Sequence, residues 1–184
     1  MTLFFPNEKY DVIYADPPWS YNAFKTSDNL CKNCGCANDH YPTMSLKDIC
    51  ELPVGDIAAK DCVLFLWATY PCLPEAFEVI KAWGFKYKTV GFTWAKLNKS
   101  GLGYKVGLGH WTRANCEICL LATKGKPKRV AKDVRQLIIS PLEGHSKKPA
   151  ETRKRIERLM GGGKKIELFA RQRVDGWDAW GNDV

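Results

Sequence analysis

The feature that most constrains the fold is a short apolar run that two prolines end abruptly. The run, Tyr10–Ala15, is rich in branched and aromatic residues, which is typical of a buried β-strand. Asp16 follows it, and Pro17 and Pro18 then stop the strand because proline has no N–H to donate to a sheet. The sequence therefore places a carboxylate on a stiff corner at the end of a buried strand.

Strand-like and helix-like segments alternate along the rest of the chain. Further strands are predicted at 62–67, 87–94, 117–123, 136–139 and 165–169, and helices at 45–52, 74–83 and 149–160. This alternation predicts an α/β fold of three layers around a mainly parallel sheet. Ligands of such folds bind beyond the carboxyl ends of the strands, where we expect both Asp16 and Arg171.

The length and composition fit one domain, predicted over residues 1–184, with flexible loops at about 22–43 and 98–112. A chain of 184 residues with 45% hydrophobic residues can bury a sizeable core, which argues against a disordered protein. No apolar stretch approaches the roughly 20 residues that span a bilayer, and the first residues do not resemble a secretion signal. We therefore expect a cytoplasmic protein that does not bind membranes.

The net charge of +8 is concentrated in one part of the sequence. Residues 124–173 carry 16 Lys and Arg against 5 Asp and Glu, a net charge of +11, while the other residues together carry −3. Such a concentration indicates a polyanionic partner, because neutralising phosphates releases condensed counterions. A solvated helix face is the alternative interpretation.

The corner after the first strand offers hydrogen-bond acceptors beside an aromatic ring. The prolines leave carbonyl groups as acceptors, Asp16 adds a carboxylate, and Trp19 adds a flat apolar face. A planar base with an exocyclic amine could donate its two N–H groups to Asp16 and to the Pro17 carbonyl. The amine nitrogen would then bend toward tetrahedral geometry, and its lone pair could attack an electrophile. The alternative is a simple turn with Trp19 in the core.

Beyond this corner, the sequence resembles the adenine methyltransferases marked by the motif Asp-Pro-Pro-Trp. That family includes short bacterial and phage DNA enzymes and the catalytic subunit of the eukaryotic messenger-RNA methyltransferase. The stretches that carry the resemblance are 14–19, 40–45, 64–67, 82–85, 94–96, 145–149, 156–159, 167–171 and 180–182. Their order covers nearly the whole chain, and the length is similar to that of the short prokaryotic and phage members.

The resemblance implies a fold, a cofactor and a reaction. The fold is a Rossmann-like methyltransferase domain with a permuted motif order, in which the catalytic motif comes early and the cofactor half late. The methyl donor is S-adenosylmethionine, and the acceptor is the 6-amino group of adenine, most simply in the DNA of a bacterial or phage-infected cell.

The resemblance also assigns roles to individual residues. The catalytic motif is Asp16, Pro17, Pro18 and Trp19. Trp19, His40, Tyr41 and Lys96 match positions near the substrate. Positions that contact the cofactor are matched by Asp16, Lys96, His145, Ser146, Lys148, Glu167, Phe169, Arg171 and Asn182.

The chain departs from the family pattern in two respects. Longer members supply an acidic residue before the catalytic strand for the cofactor's adenine, whereas here Phe5, Pro6 and Asn7 precede Tyr10. The sequence also shows no separate target-recognition domain. Target choice is therefore expected from loops, from the basic segment, or from a second subunit or copy of the chain.

The cysteines raise the question of a metal site. Cys31, Cys34 and Cys36 have ligand types and spacing compatible with zinc, but a second ligand pair is not evident, so no metal is predicted. Cys116 and Cys119 are expected to be thiols of the core.

Three functional hypotheses follow. The first is an adenine methyltransferase that acts on DNA, with RNA as the alternative polymer. The second is a non-catalytic nucleic-acid-binding partner of the same fold, which the intact Asp-Pro-Pro-Trp argues against. The third is a zinc-stabilised RNA-binding module.

Overall fold

A computed structural model describes residues 5–20, 43–107, 109, 111–143 and 147–184. Within these residues, seven strands form one sheet in the order β5-β3-β4-β2-β1-β6-β7. The strands are β1 (Tyr10–Ala15), β2 (Ala58–Ala68), β3 (Lys86–Leu97), β4 (Cys116–Lys124), β5 (Leu137–Pro141), β6 (Lys165–Leu168) and β7 (Asp178–Trp180). The helices are α1 (Leu46–Glu51), α2 (Val54–Ile57), α3 (Leu73–Ala82) and α4 (Ala150–Met160), with a 3-10 turn at Tyr70–Cys72.

The sheet is mostly parallel, as predicted. β1 runs parallel to β2 and β6, β3 to β5, and β6 to β7, whereas β4 runs antiparallel to both of its neighbours. The start of β4 therefore lies at the carboxyl edge of the sheet, where the parallel strands end. Residues from both ends of strands can meet at this edge.

Helices cover both faces of the sheet, which confirms the three layers. Alternate side chains of β1 point to opposite faces. Ile13 and Ala15 pack in the cluster that contains residues of α1, α2 and α3, and Val12 and Tyr14 pack in the cluster that contains Ile156 of α4. This arrangement is consistent with a Rossmann-like methyltransferase fold.

The helix ends follow from local sequence. The Ser45 hydroxyl accepts a hydrogen bond from the Asp48 backbone N–H at 3.1 Å and caps α1. Gly84 follows α3 with φ +80°, a conformation that glycine adopts without strain. Gly161 ends α4 in the same region of φ. The three predicted helices are thus confirmed to within a few residues.

Two other features of the described residues concern apolar helices and cysteines. No helix among them is both long and apolar enough to cross a membrane. Cys119 is buried and Cys116 is partly exposed, and both are free thiols. Cys119 is a core thiol as predicted, and Cys116 lies at the edge of the core.

Candidate functional site

The candidate site lies where the central parallel strands end. β1 is bordered by β2 and β6, and its last residue, Ala15, is in register with Leu66 on one side and Leu168 on the other. Asp16 therefore leaves the sheet between two neighbouring strands that run in the same direction. Arg171, the other residue predicted at this edge, follows β6 after a short turn.

Hydrogen bonds fix the corner that holds Asp16. The Trp19 backbone N–H donates to the Pro17 carbonyl at 2.8 Å, and the Met44 backbone N–H donates to the Pro18 carbonyl at 3.0 Å. The first of these spans only three residues and closes a tight γ-turn. Because a carbonyl oxygen can accept two hydrogen bonds, each proline carbonyl keeps capacity for one more donor.

Trp19 helps to fasten this corner to the core. Its indole N–H donates to the Trp67 carbonyl at 2.9 Å, and the side chain is only 7% exposed. It packs in the same cluster as Ile49. The indole thus lies in the core, as in the alternative interpretation of the motif, instead of offering an open face. Stacking of Trp19 on a base stays a prediction.

The Asp16 carboxylate belongs to a chain of four charged side chains. Lys148 Nζ lies 2.6 Å from Asp16 Oδ2 and 3.3 Å from Glu117 Oε2. The other Glu117 oxygen accepts a hydrogen bond from Lys96. The side chains of Lys148, Glu117 and Asp16 are 9%, 16% and 23% exposed, respectively. Two cations and two anions therefore alternate at the floor of the site, partly shielded from water.

Burial and charge shift the pKa values of this cluster in different directions. Burial raises the pKa of the Asp16 carboxyl above its ordinary value, although Lys148 opposes the rise. Burial acts in the same direction on Glu117, but there Lys148 and Lys96 together lower the pKa of the carboxyl. Burial disfavours the charge on Lys148, but Asp16 and Glu117 outweigh it and raise the pKa of the ammonium. The two lysines thus favour the ionised form of Glu117, whereas burial favours the protonated form of Asp16.

An indole ring lies close to each of the two lysines. Lys148 Nζ lies 5.6 Å from the ring centroid of Trp67, and Lys96 Nζ lies 5.1 Å from that of Trp94. The Trp67 indole N–H donates to the Tyr14 hydroxyl at 2.7 Å, which holds that ring in place. Each ammonium group thus lies within cation–π distance of an indole ring.

The late residues predicted for the cofactor lie beside the corner, around the ends of β6 and β7. Glu167 is partly buried, and both of its carboxylate oxygens accept hydrogen bonds from Arg153, at 3.0 and 3.3 Å. Burial raises the pKa of Glu167, and Arg153 opposes the rise. Phe169 has φ +60°, the only non-glycine residue in that region within the described part of the chain. A backbone strained at the end of a strand is typical of ligand sites.

Three other features complete this side of the site. The Trp180 indole stacks edge-on with Phe169 at 5.6 Å. Its Nε1 is buried and finds no acceptor among the residues that the structure describes. Arg171 and Asn182 are exposed nearby in sequence. A ligand with hydroxyl and carboxylate groups would suit these donors.

The segment between β3 and β4, here called the 98–115 extension, emerges from the same edge. Residues 98–112 were predicted as a flexible loop. Two antiparallel bridges follow one another along the extension: the first joins Leu97, the last residue of β3, to Tyr104, and the second joins Gly107 to Ala114. Large apolar side chains on it are exposed to solvent: Leu102, Tyr104, Val106 and Trp111. Residues 98–115 include three Lys or Arg and no Asp or Glu.

The basic stretch 124–173 does not gather at this edge as a whole. Lys148 lies in the site, whereas Lys126 and Lys128 line a pocket of about 290 Å³ with Asp11 and Asp61 near the amino ends of β1 and β2. The structure therefore divides the stretch between the two edges of the sheet.

Several predicted residues lie outside the described part of the chain. These are His40, Tyr41, His145 and Ser146, together with Cys31, Cys34 and Cys36. No group of His, Cys, Asp and Glu among the described residues could hold a metal ion.

Sequence analysis missed Glu117 and Arg153. Glu117 begins a predicted strand, and only the antiparallel direction of β4 brings it to the edge where Asp16 lies. Arg153 was one of many basic residues in a predicted helix. The available signal for Glu117 was an acidic residue at the start of a buried strand. Placing Glu117 in the site also required the direction of that strand.

Comparison with known proteins agrees with this geometry. The chain matches the model of the MT-A70 family over residues 10–183. It is 38% identical over 192 residues to the type II methyltransferase M.MunI of a Mycoplasma species, covering 97% of this chain and 79% of that protein.

Eukaryotic relatives match over the same span. The human N(6)-adenosine-methyltransferase catalytic subunit METTL3 is 28% identical, with 96% of this chain and 28% of that protein covered. The mouse N(6)-adenine-specific methyltransferase METTL4 is 27% identical, with 95% and 37% covered. This chain thus corresponds to one part of these longer proteins. Since the family model covers nearly every residue of the sheet and of the site, the chain belongs to the MT-A70 family of methyltransferases.

Proposed function

We propose that this chain transfers a methyl group from S-adenosylmethionine to the 6-amino group of adenine in DNA. The observation that carries the proposal is the position of Asp16, a partly buried carboxylate on a proline-stiffened corner between two parallel strand ends. The names of the human and mouse relatives, which specify N(6) of adenosine or adenine, support the same acceptor atom.

The corner suits an exocyclic amine. One amine N–H can donate to Asp16 and the other to the remaining acceptor capacity of the Pro17 carbonyl. Held in this way, the nitrogen bends toward tetrahedral geometry and its lone pair becomes available. Asp16 also stabilises the positive charge that develops on the nitrogen, and it accepts the amine proton only after that charge has formed, because a neutral aryl amine is a very weak acid. Positioning of this kind can be worth roughly 7–11 kcal/mol of barrier.

The residues around the ends of β6 and β7 fit the proposed methyl donor. The N–H of Trp180, which has no acceptor among the described residues, and the partly buried carboxylate of Glu167 suit hydroxyl groups, and Arg171 suits a carboxylate. When bound, S-adenosylmethionine would supply an electrophilic methyl group. Phe169, Asn182 and the lysines Lys96 and Lys148 are assigned to the same site by the family resemblance.

DNA is preferred to RNA because of the relative that this chain matches over the larger share of its length. The type II methyltransferase of Mycoplasma is covered over 79% of its length, whereas the human protein is covered over 28%. For either polymer, the 98–115 extension offers exposed aromatic and basic side chains, without acidic ones, beside the site that must receive an extruded base. RNA stays the second candidate, because the human relative is named for adenosine.

The test is expression of the chain in a bacterium that has no adenine methylation of its own. We expect N6-methyladenine in genomic DNA, within one recurring short sequence, and none in cells that express Asp16→Ala. Analysis of cellular RNA in parallel distinguishes the two possible substrates. N6-methyladenosine found in RNA and not in DNA would identify RNA as the substrate. No methylated adenine in either polymer would contradict the proposal and favour a non-catalytic partner.

Calorimetry with S-adenosylmethionine adds a readout that is independent of turnover. We expect both the wild-type chain and Asp16→Ala to bind the donor, because the residues proposed to hold most of it lie around β6 and β7. A wild-type chain that binds no donor would contradict the assignment of the cofactor.

A further inference from the structure

The four-residue charge cluster contains an obstacle to the proposed reaction. Lys148 Nζ lies 2.6 Å from Asp16 Oδ2, and the Lys148 side chain is only 9% exposed. An ammonium at this distance occupies an acceptor site that the adenine amine would use. It also neutralises the carboxylate that should stabilise positive charge on the amine nitrogen. Asp16 acts at full strength only if Lys148 moves away from it.

The structure contains a second acceptor for Lys148. Glu117 Oε2 lies 3.3 Å from the same Nζ, so a small rotation of the flexible lysine stem exchanges one carboxylate for the other. A buried ammonium without a partner would be strongly destabilising. Transfer between Asp16 and Glu117 avoids that state, because Lys148 keeps a carboxylate throughout.

A second contact holds the Glu117 carboxylate in position to accept Lys148. Its other carboxylate oxygen accepts a hydrogen bond from Lys96, which anchors the side chain independently of Lys148. Its pKa is lowered by the two lysines against the effect of burial, whereas burial raises the pKa of Asp16. The two lysines thus favour the ionised form of Glu117, which is the form that can accept Lys148.

We propose that Glu117 is a positioning residue that receives Lys148 when adenine binds, and so releases the Asp16 carboxylate for the adenine amine. The proposal rests on the proposed function of the site. Glu117 need not touch the base or the methyl donor, since it acts through Lys148.

The first test is Glu117→Gln, which keeps the shape of the side chain and removes its charge. Lys148 then stays on Asp16, and we expect kcat at saturating donor to fall on the order of tenfold, with donor affinity unchanged. The acid limb of the pH profile should move to lower pH, because removing the negative charge of Glu117 and retaining Lys148 both lower the pKa of Asp16. The matched control is Glu143→Gln. Glu143 forms an exposed ion pair with Lys147 in the loop before α4, so this variant should change neither kcat nor the acid limb of the pH profile.

The second test asks whether Glu117 acts through Lys148. In a Lys148→Met background, at a pH above the acid limb, Glu117→Gln should have no further effect on kcat, because the ammonium group that Glu117 would receive from Asp16 is absent. The same loss of kcat in both backgrounds would overturn the proposal and would place Glu117 against the substrate or the donor.

The third test needs no variant, so it can test the role of Glu117 even if Glu117→Gln does not fold. A crystal structure of the wild-type chain with a non-reactive donor analogue and an adenine-containing duplex should show Lys148 Nζ closer to Glu117 than to Asp16. If Lys148 Nζ still lies closer to Asp16 in that complex, the proposed role of Glu117 is wrong, whereas the proposed function of the site is unaffected. A wild-type chain that methylates no adenine would overturn the proposed function, and this proposal with it.

Discussion

At the carboxyl edge of the sheet, carboxylates bind buried ammonium groups, whereas at the amino edge they bind backbone N–H groups near the surface. Asp16 and Glu117 share Lys148 at the first edge, with most of each side chain shielded from solvent. At the second edge, Asp11 accepts a hydrogen bond from the Lys164 backbone N–H at 3.0 Å, and Asp61 accepts one from that of Lys126 at 2.7 Å.

The difference separates function from folding. A carboxylate that caps an exposed loop stabilises local structure by about 1 kcal/mol and is easily replaced. Charged groups buried against one another must lose water, and their mutual attraction compensates for this loss only with good geometry. Under the proposed function, the cluster at the carboxyl edge is kept because its charges act on the substrate and the methyl donor. The same residue types thus have different roles because their burial differs.

The largest expected effect separates the two edges directly. Asp16→Ala should lower kcat by roughly 10²–10³-fold or more, because it removes the group that orients the amine and stabilises its developing charge. Asp61→Ala is the matched control, and it should lower stability by about 1 kcal/mol while kcat is unchanged. Methyl transfer to duplex DNA and urea unfolding measure the two quantities. Near-normal turnover by Asp16→Ala would refute the role given to this residue.

Two arginines of α4 extend the comparison to stability. Arg153, nearer the carboxyl edge, pairs with Glu167 with side chains 9% and 16% exposed, whereas Arg158 pairs with Asp133 in solvent. Arg153→Ala should destabilise the fold by about 3 kcal/mol, since it leaves a buried carboxylate without its partner. Arg158→Ala should cost less than about 1 kcal/mol. Similar losses from both variants in urea unfolding would show that burial does not distinguish these pairs.

The pH dependence of activity reports on the carboxyl edge alone. Because burial raises the pKa of Asp16, activity should be present above that raised pKa and fall about tenfold per pH unit below it. The effect on stability has the opposite sign. A carboxyl whose pKa is raised in the folded state binds its proton more readily there than in the unfolded chain, so its contribution improves as the pH falls. An acid limb of kcat at the ordinary pKa of aspartate would contradict the assignment.

How much of this could be predicted from sequence depends on the range of the interactions. The Tyr10–Ala15 strand and the helices predicted at 45–52 and 74–83 depend on local signals, and each is confirmed to within a residue or so. Asp16 could be singled out because two prolines fix its place at a strand end. Strand β7 has three residues, Asp178–Trp180, which is too short for a periodic pattern.

The charge cluster could be predicted only in part. Lys96 and Lys148 were assigned through the family resemblance, but to the cofactor or substrate and not to Glu117 and Asp16. Glu117 reaches the site because β4 runs antiparallel inside a mainly parallel sheet. The direction of a strand depends on pairing between distant segments, and no local pattern encodes it.

The smallest expected effect concerns which edge meets the nucleic acid. Trp111 is fully exposed on the 98–115 extension, and stacking on a base would be worth about 1 kcal/mol or somewhat more. Trp111→Ala should therefore weaken binding to a target duplex about five- to tenfold without changing stability, because its side chain packs against little of the protein. Lys128→Ala, at the amino edge, should leave affinity unchanged, since the base enters at the other edge. Fluorescence anisotropy at fixed salt measures both. If Lys128→Ala weakens binding and Trp111→Ala does not, the duplex contacts the basic stretch at the amino edge, and the extension is not its binding surface.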